Sequence, residues 1–230
     1  MAPLSHHLRA TLTLGLPLIG GMVAQAAIQL TDTVMVGWYG VIELAAVALA
    51  SAYFHTIMIV GLGFGLAVTP LVAAAATNGD RTQVRRVTRM GLWIALIFSA
   101  AVMPLFWFSG AILLALGQEG EIARIGQDYL RIAGWAIAPA VLLGVFRGYL
   151  SALEHTRIVL WATLAGVVLN AGLNWVLIFG NLGFPELGVR GAAIASVGTQ
   201  ALICAILAAY SGLQRELRAD TLFLRFWRPD

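Results

Sequence analysis

The sequence predicts an all-α integral membrane protein, a bundle of six transmembrane helices. Of its 230 residues, 60% are hydrophobic and 11% are charged, whereas soluble domains carry about 25% charged residues. The apolar residues also fall in long runs, without the strict alternation that a membrane β-barrel requires. Because a helix needs about 20 apolar residues to cross the hydrocarbon core, the chain has room for roughly six spans and membrane lipid is its expected surrounding.

Hydropathy, read with a window of about 19 residues, separates the six apolar runs. The predicted spans are Leu14–Val36, Ala45–Ala76, Val87–Phe108, Tyr129–Leu150, Ile158–Phe179 and Val189–Tyr210. They predict one six-helix unit over residues 1–212, followed by a cytoplasmic linker or tail over residues 213–230.

Arginines set the predicted orientation. They gather in the N-terminal flank, two alternate connections and the tail: Arg9, Arg81, Arg85, Arg86, Arg89, Arg147, Arg157, Arg215, Arg218, Arg225 and Arg228. The other connections are richer in acidic residues: Glu43, Glu119, Glu121, Asp128 and Glu186. Positively charged connections stay in the cytoplasm, so we expect a multi-pass protein of the cell inner membrane with both termini cytoplasmic.

Several other function classes are disfavoured by the residues. The net charge of +3 comes from arginines that separate apolar runs and form no single basic patch, so nucleic acid is not an expected partner. The single cysteine, Cys204, excludes an internal disulfide. No Ser-His-Asp or Cys-His arrangement and no histidine pair with metal-ligand spacing is readable. The sequence therefore predicts neither an enzyme nor a cofactor, and His55 is interpreted as a hydrogen-bonded core histidine.

A carboxylate stands inside the first apolar run. Asp32 follows Gln25 by seven residues and Gln29 by three, so all three lie on one stripe of the helix. Such a stripe must face protein or a water-filled cavity. We therefore predict that Gln25, Gln29 and Asp32 line a cavity.

Other spans place polar groups at a similar depth. Counting about 1.5 Å per residue, we expect Asp32 to lie level with Asn170 and Asn174 of the fifth span, which share one helix face. Ser196 of the sixth span reaches the same level, and Tyr129 opens the fourth span near it. These groups are expected to turn toward each other. For the asparagines, interhelical hydrogen bonding without a transport role remains an alternative.

Asp32 is also expected to be a chemical switch. No lysine or arginine lies in the middle of any predicted span. A buried carboxylate without a cationic partner takes up a proton unless a cation binds beside it. The sequence thus predicts a site for a proton or a sodium ion at Asp32.

Prolines and glycines suggest where helices bend. Proline removes a helix hydrogen bond and invites a kink, so Pro17 and Pro139 are predicted hinge positions. Gly61, Gly63 and Gly65 interrupt the second span, and close helix packing is as good an explanation for them as bending.

Three segments resemble one known family. TDTVMVGWYG (Thr31–Gly40) with the following ELAAVALA, TNGDRTQVRRVTRMGLW (Thr77–Trp93) and LNAGLNWVLIFGNLGFPELGVRGAAIAS (Leu169–Ser196) are similar to the multidrug and toxic compound extrusion (MATE) family in its NorM-like branch. The third segment is the most specific, because its paired asparagines precede a glycine- and proline-containing turn and a helix that starts Gly-Ala-Ala. The resemblance runs along essentially the whole chain.

The resemblance implies an antiporter that exports small cationic, amphipathic drugs or dyes against protons or sodium. Such transporters have twelve helices in two six-helix lobes, so this chain would form the N-terminal lobe and need a second lobe as partner. Asp32 would be the cation-linked residue, and Asn170 and Asn174 would line the same cavity. Tyr129 and Ser196 match positions near oxygen donors. Some relatives carry aspartate at the position of Asn174.

Two alternatives stay open. A lipid-linked oligosaccharide flippase of the same superfamily would need cationic residues inside the cavity, and the sequence offers none in mid-span. A membrane scaffold without transport activity would bind no cation and would not depend on Asp32.

Overall fold

The computed structural model describes residues 4–214, Leu217 and Leu222, with the backbone alone for residues 4–12 and Leu14. Over these residues the chain forms α-helices and no strand. The helices are α1 (Leu4–Tyr39), α2 (Val41–Thr77), α3 (Arg81–Trp107), α4 (Ser109–Ala115), α5 (Gly120–Ala133), α6 (Ile137–Ala152), α7 (Thr156–Phe179) and α8 (Val189–Leu213). Short 3-10 segments at Gly134–Ala136 and Asn181–Gly183 follow α5 and α7.

Six helical stretches of the described chain are long and apolar enough to cross a membrane, which confirms the predicted fold class. They are Gly15–Tyr39, Val41–Thr77, Arg81–Trp107, Gly120–Ala152, Thr156–Phe179 and Val189–Leu213. Most of the tail predicted as a linker, residues 213–230, lies outside the described residues.

The fourth span differs from its predicted bounds. It begins at Gly120, whereas hydropathy placed its start at Tyr129, which is instead the tenth residue of α5. The charged side chains between these two positions lower the hydropathy of any window that includes them. The segment is nevertheless helical because it is amphipathic: it buries Ala123, Gly126 and Leu130 and leaves its charged residues at the periphery.

The spans pack as neighbouring pairs. Helix α1 packs mainly against α7, α2 against α6, and α7 also against α8. The α2–α6 seam is made of backbone: a Cβ built on Gly65 would lie 2.7 Å from the carbonyl carbon of Gly144, and one on Gly148 would lie 2.7 Å from the Gly65 carbonyl oxygen. Gly63, by contrast, meets nothing within 4 Å. Close packing thus accounts for Gly65 and leaves Gly63 unexplained.

The connection between α7 and α8 holds the C-terminal end of α1. Gly180 ends α7 in the left-handed region at φ 69°, and Gly188 starts the next helix at φ 53°. A Cβ on Gly188 would meet the Tyr39 ring at 2.8 Å, and the Tyr39 side chain interacts with Glu186. The last turn of α1 therefore rests on this connection.

The two predicted hinge prolines have different local settings. Pro17 lies inside α1, which continues as α-helix on both sides of it. Pro139 is the third residue of α6, the helix that directly follows the 3-10 segment Gly134–Ala136. Because proline cannot donate to the preceding turn, Pro139 helps to explain why the fourth span changes helix type there. Movement at either proline stays a prediction.

Candidate cation site and adjoining cavity

The Asp32 carboxylate on α1 accepts hydrogen bonds from α7 and α8. The Nδ2 atoms of Asn170 and Asn174 lie 2.9 Å and 2.5 Å from Asp32 Oδ1. Ser196 Oγ donates to Asp32 Oδ2 at 3.2 Å. The structure thus brings four of the predicted site residues together, and we refer to them as the Asp32 cluster.

Helix geometry explains why both amides reach one carboxylate. Asn170 and Asn174 are four residues apart and therefore lie on one face of α7, which is the face that packs against α1. Both side chains are fully buried. Asn174 Nδ2 also donates to Asn170 Oδ1 at 3.2 Å. This contact helps to hold the NH2 groups toward Asp32, where they are bonded to a charge that lipid alone would not tolerate.

One oxygen of the Asp32 cluster lacks a donor. Asn174 Oδ1 is buried and has no hydrogen-bond partner among the described residues, and a buried unsatisfied acceptor costs about 1–3 kcal/mol. The described residues contain no group of three His, Cys, Asp or Glu side chains that could hold a metal. A sodium ion would therefore rely on the Asp32 carboxylate together with amide and hydroxyl oxygens, the donor type that hard cations prefer.

Tyr129 joins the cluster from α5. It is 7% exposed, and its hydroxyl interacts with the side chains of Ser196 and Ser51. The sequence prediction placed Tyr129 at the mouth of a span, but the longer fourth span carries it into the bundle. It reaches Asp32 through Ser196 rather than directly.

A cavity of about 330 Å³ adjoins the Asp32 cluster. Its walls come from α1, α2, α5 with the following 3-10 segment, and α8. They are formed by Gln25, Ile28, Gln29, Asp32, Thr33, Leu44, Val47, Ala48, Ser51, Phe54, His55, Met58, Tyr129, Ala133, Ala136, Ser196, Thr199 and Gln200. Of the predicted cavity residues, Gln25, Gln29 and Asp32 lie on this wall. Asn170 and Asn174 contact Asp32 from the opposite, α7 side and are not part of the wall.

His55 is hydrogen-bonded, as the sequence suggests, but it also faces the cavity. Its Nδ1 lies 2.9 Å from the Ser51 carbonyl oxygen, and its Nε2 lies 2.6 Å from Gln29 Nε2. Ser51 lies four residues before His55, on the same face of α2, and also lines the cavity. This pair was the sequence signal for the wall, and the sequence prediction did not use it.

Arg147 lies inside the bundle, and its predicted place in a connection between spans is wrong. Its side chain turns into the bundle instead of joining the loop arginines. Arg147 Nη2 donates to Gln25 Oε1 at 3.0 Å and to Thr163 Oγ1 at 3.1 Å, while its Nε is buried without a hydrogen-bond partner. Arg147 lies five residues before the end of α6, close enough to the span end for hydropathy to treat it as a boundary. A cationic side chain is therefore present within a span, behind the cavity wall.

The chain is similar to known proteins along most of its length. Residues 17–176 match the MatE family model. A probable multidrug resistance protein NorM from Rhizobium meliloti is 48% identical over 224 residues, covering 97% of this chain and 48% of the relative. Another with the same name from Agrobacterium fabrum is 42% identical with the same coverage. The chain thus spans about half the length of the curated relatives it matches.

Solved structures agree with the fold. An outward-facing multidrug resistance MATE family transporter of the MOP superfamily has a TM-score of 0.84 at 25% identity, covering 96% of this chain and 48% of that one. A MATE protein in a bent conformation has a TM-score of 0.81 at 24% identity, covering 90% and 46%. The matches again correspond to one half of the longer chains.

Proposed function

The chain belongs to the MatE family of membrane transporters, and from this premise we propose that it is one lobe of a cation-coupled multidrug efflux antiporter. It would export cationic, amphipathic compounds in exchange for protons or sodium ions. A second six-helix lobe would complete the transport pathway, because the chain spans about half of its relatives. In the proposed orientation the N-terminus and the end of α8 lie on the cytoplasmic side of the inner membrane.

One observation carries the proposal: the cavity wall contains a carboxylate that is held by amides from a separate helix. Among the wall residues described, Asp32 is the one acidic side chain. Two buried asparagines bond its Oδ1, and the orphaned Asn174 Oδ1 lies within the same cluster. A carboxylate that faces both a cavity and a buried oxygen-rich niche can exchange a proton or a small cation.

Neutralising Asp32 would loosen α1. Hydrogen bonds to a charged group are roughly twice as strong as neutral ones, so a proton on the carboxylate weakens its bonds to Asn170, Asn174 and Ser196 together. If each bond loses about 1 kcal/mol, the conformational equilibrium of α1 shifts by on the order of 100-fold. A sodium ion would act on the same oxygens.

The same event would release the drug. A cationic compound in the cavity is attracted by the ionised Asp32 carboxylate. Once a proton or sodium ion neutralises that charge, the attraction is lost while the apolar wall, including Phe54 and Met58, still contacts the compound weakly. Drug and coupling ion therefore compete for one side chain, which is the requirement for exchange of one for the other.

The alternatives gain no support from the cavity. Arg147 is half-buried in the bundle, but neither it nor any other arginine or lysine is part of the described cavity wall, so a pyrophosphate head group would find no cation there. A scaffold without transport activity would have no use for a carboxylate shared between a cavity and two amides.

The test is efflux of ethidium by the complete protein bearing this chain, measured as gradient-driven uptake of ethidium into inverted membrane vesicles. Asp32→Asn keeps the shape of the side chain and removes its charge, and we expect at least a tenfold loss of efflux driven by a pH or sodium gradient. Asp128→Asn is the matched control, since Asp128 pairs with Arg190 at the surface. Undiminished gradient-driven efflux by the Asp32→Asn protein would remove Asp32 from the mechanism. Absence of gradient-driven efflux from the unmodified protein would refute the antiport.

A further inference from the structure

The two glutamines of the α1 stripe have hydrogen-bond partners of opposite kind, a donor for Gln25 and an acceptor for Gln29. Gln25 is bonded to Arg147 of α6, whereas Gln29 is bonded to His55 of α2. Both glutamines also line the cavity. The partner that holds one end of each amide decides which end faces the cavity.

Gln25 must present its oxygen to Arg147. A guanidinium carries hydrogen-bond donors and no acceptor, so the Gln25 atom 3.0 Å from Arg147 Nη2 is Oε1. Thr163 Oγ1 holds the same Nη2 atom at 3.1 Å, which fixes the guanidinium. In the described part of the chain the Gln25 Nε2 has no hydrogen-bond partner, and this donor is left for the cavity.

Gln29 must present its nitrogen to His55. The Nδ1 atom of His55 lies 2.9 Å from the Ser51 carbonyl oxygen and therefore carries the hydrogen. In a neutral imidazole the other nitrogen is then an acceptor, so Gln29 Nε2 donates to His55 Nε2 at 2.6 Å. The Gln29 Oε1 acceptor has no partner among the described residues and is left for the cavity.

We propose that Arg147 and His55 are positioning residues that give the cavity a fixed polarity. At the Asp32 level the wall offers the carboxylate as acceptor, and Gln29 Oε1 adds a second acceptor about 4.5 Å along α1 toward Gln25. At the Gln25 level the wall offers the Gln25 Nε2 donor, backed by the positive charge of Arg147. Asp32 and Gln25 are seven residues apart, so the two levels are separated by about 10 Å along α1.

This polarity defines a substrate class. The cavity selects compounds with a protonated nitrogen at one end and a hydrogen-bond acceptor, such as a carbonyl or carboxylate, roughly 10 Å away at the other. A cation of equal size with an apolar far end leaves the Gln25 donor unpaired. The inference rests on the proposed function for its transport meaning, but the selectivity itself is a binding property.

The experiment compares two fluorescent probes on the purified complete protein. Both are naphthalene-linked primary ammonium compounds, one with a carboxamide and one with a methyl group roughly 10 Å from the nitrogen. Since one hydrogen bond changes affinity by about fivefold, we expect the carboxamide probe to bind about fivefold more tightly. Gln25→Glu should pair with Arg147, turn an acceptor toward the cavity and reduce this ratio to about one or below.

Further variants separate positioning from folding. Arg147→Lys retains a cationic donor for Gln25 and should keep most of the ratio, whereas Arg147→Met should lose it. Gln118→Glu, which adds the same charge outside the cavity wall, is the control. Each variant is checked for a monodisperse elution profile, so that Arg147→Met still tests the inference if Gln25→Glu does not fold.

The outcomes distinguish this inference from the proposed function. An equal affinity for the two probes in the unmodified protein, or an unchanged ratio in Gln25→Glu and Arg147→Met, overturns the polarity even if ethidium efflux depends on Asp32. Retained probe selectivity together with gradient-driven efflux that does not depend on Asp32 supports the polarity and removes Asp32 from the coupling mechanism. Failure of the protein to bind either probe overturns the polarity, whereas the antiport is judged by ethidium efflux alone.

Discussion

The two ends of the α1 polar stripe are held in different ways. At the Asp32 end, three neutral donors from α7 and α8 bond a carboxylate. At the Gln25 end, a guanidinium from α6 bonds a neutral amide. The first attachment depends on a charge that one proton removes, whereas a guanidinium stays charged at any pH that a protein meets.

This difference predicts which part of α1 moves. Protonation weakens every bond at the Asp32 end and leaves the Gln25 end unchanged. The part of α1 beyond Gln25, which ends with Tyr39 on the α7–α8 connection, is therefore expected to be mobile during transport. The part before Gln25 is expected to stay attached to α6 and α7.

Cross-linking is expected to give the largest effect, and it tests directly which end of α1 moves. In a Cys204→Ser background, Tyr39→Cys with Glu186→Cys joined by a short bismaleimide should tie the mobile end of α1 and reduce ethidium efflux at least tenfold. The pair Gly20→Cys with Leu160→Cys, where a Gly20 Cβ would lie 3.0 Å from Leu160 Cδ1, should retain most of the efflux. The reverse ranking would place the moving segment at the other end.

The contact between α2 and α6 is expected to stay fixed while α1 moves. Substitutions there should have an effect of intermediate size, on stability. Gly65→Ala would push a methyl group against the Gly144 backbone, and overpacking of this kind costs about 1–3 kcal/mol. Gly63→Ala meets open space and should be neutral or stabilising by about 0.5–1 kcal/mol. Thermal unfolding of the two variants in detergent tests the contrast. Equal unfolding temperatures would show that the seam tolerates separation.

The smallest expected effect concerns Ser196, whose bond to Asp32 Oδ2 is the longest of the three. Ser196→Ala removes one donor to the charged form of the carboxylate, worth about 1 kcal/mol. The pH of half-maximal efflux should move upward, by roughly 0.7 units or less. Thr199→Val, a neighbour whose hydroxyl bonds the Ala195 carbonyl instead, should leave this pH in place. A downward shift in Ser196→Ala would contradict the assignment of Ser196 as a donor to Asp32.

Simple counting along the sequence predicted the Asp32 cluster. Asn170 and Asn174 share a helix face because four residues separate them, and a constant rise per residue placed them level with Asp32. Both rules hold for any straight helix. The six spans followed for a similar reason, since hydropathy over a long window depends little on packing.

The residues that escaped prediction are those whose role depends on side-chain direction. Arg147 lies close enough to a span end to count as a loop residue, and its inward direction depends on hydrogen bonds to Gln25 of α1 and Thr163 of α7. The start of the fourth span was misplaced because charges on one face of α5 hide an amphipathic helix. Ser51 and His55, four residues apart, gave a signal of only two positions, and the wall that His55 shares with Gln29 forms only when α1 and α2 meet.

The Asp32 carboxylate is reached from two sides that share few residues. Buried amides of α7 contact it from behind, and the cavity residues of α2, α5 and α8 surround its front. In the proposed antiporter, Phe54, Met58 or Gln200 would thus be open to exchange without disturbing the α7 amides. The range of compounds exported and the coupling to the ion would then evolve on separate helices.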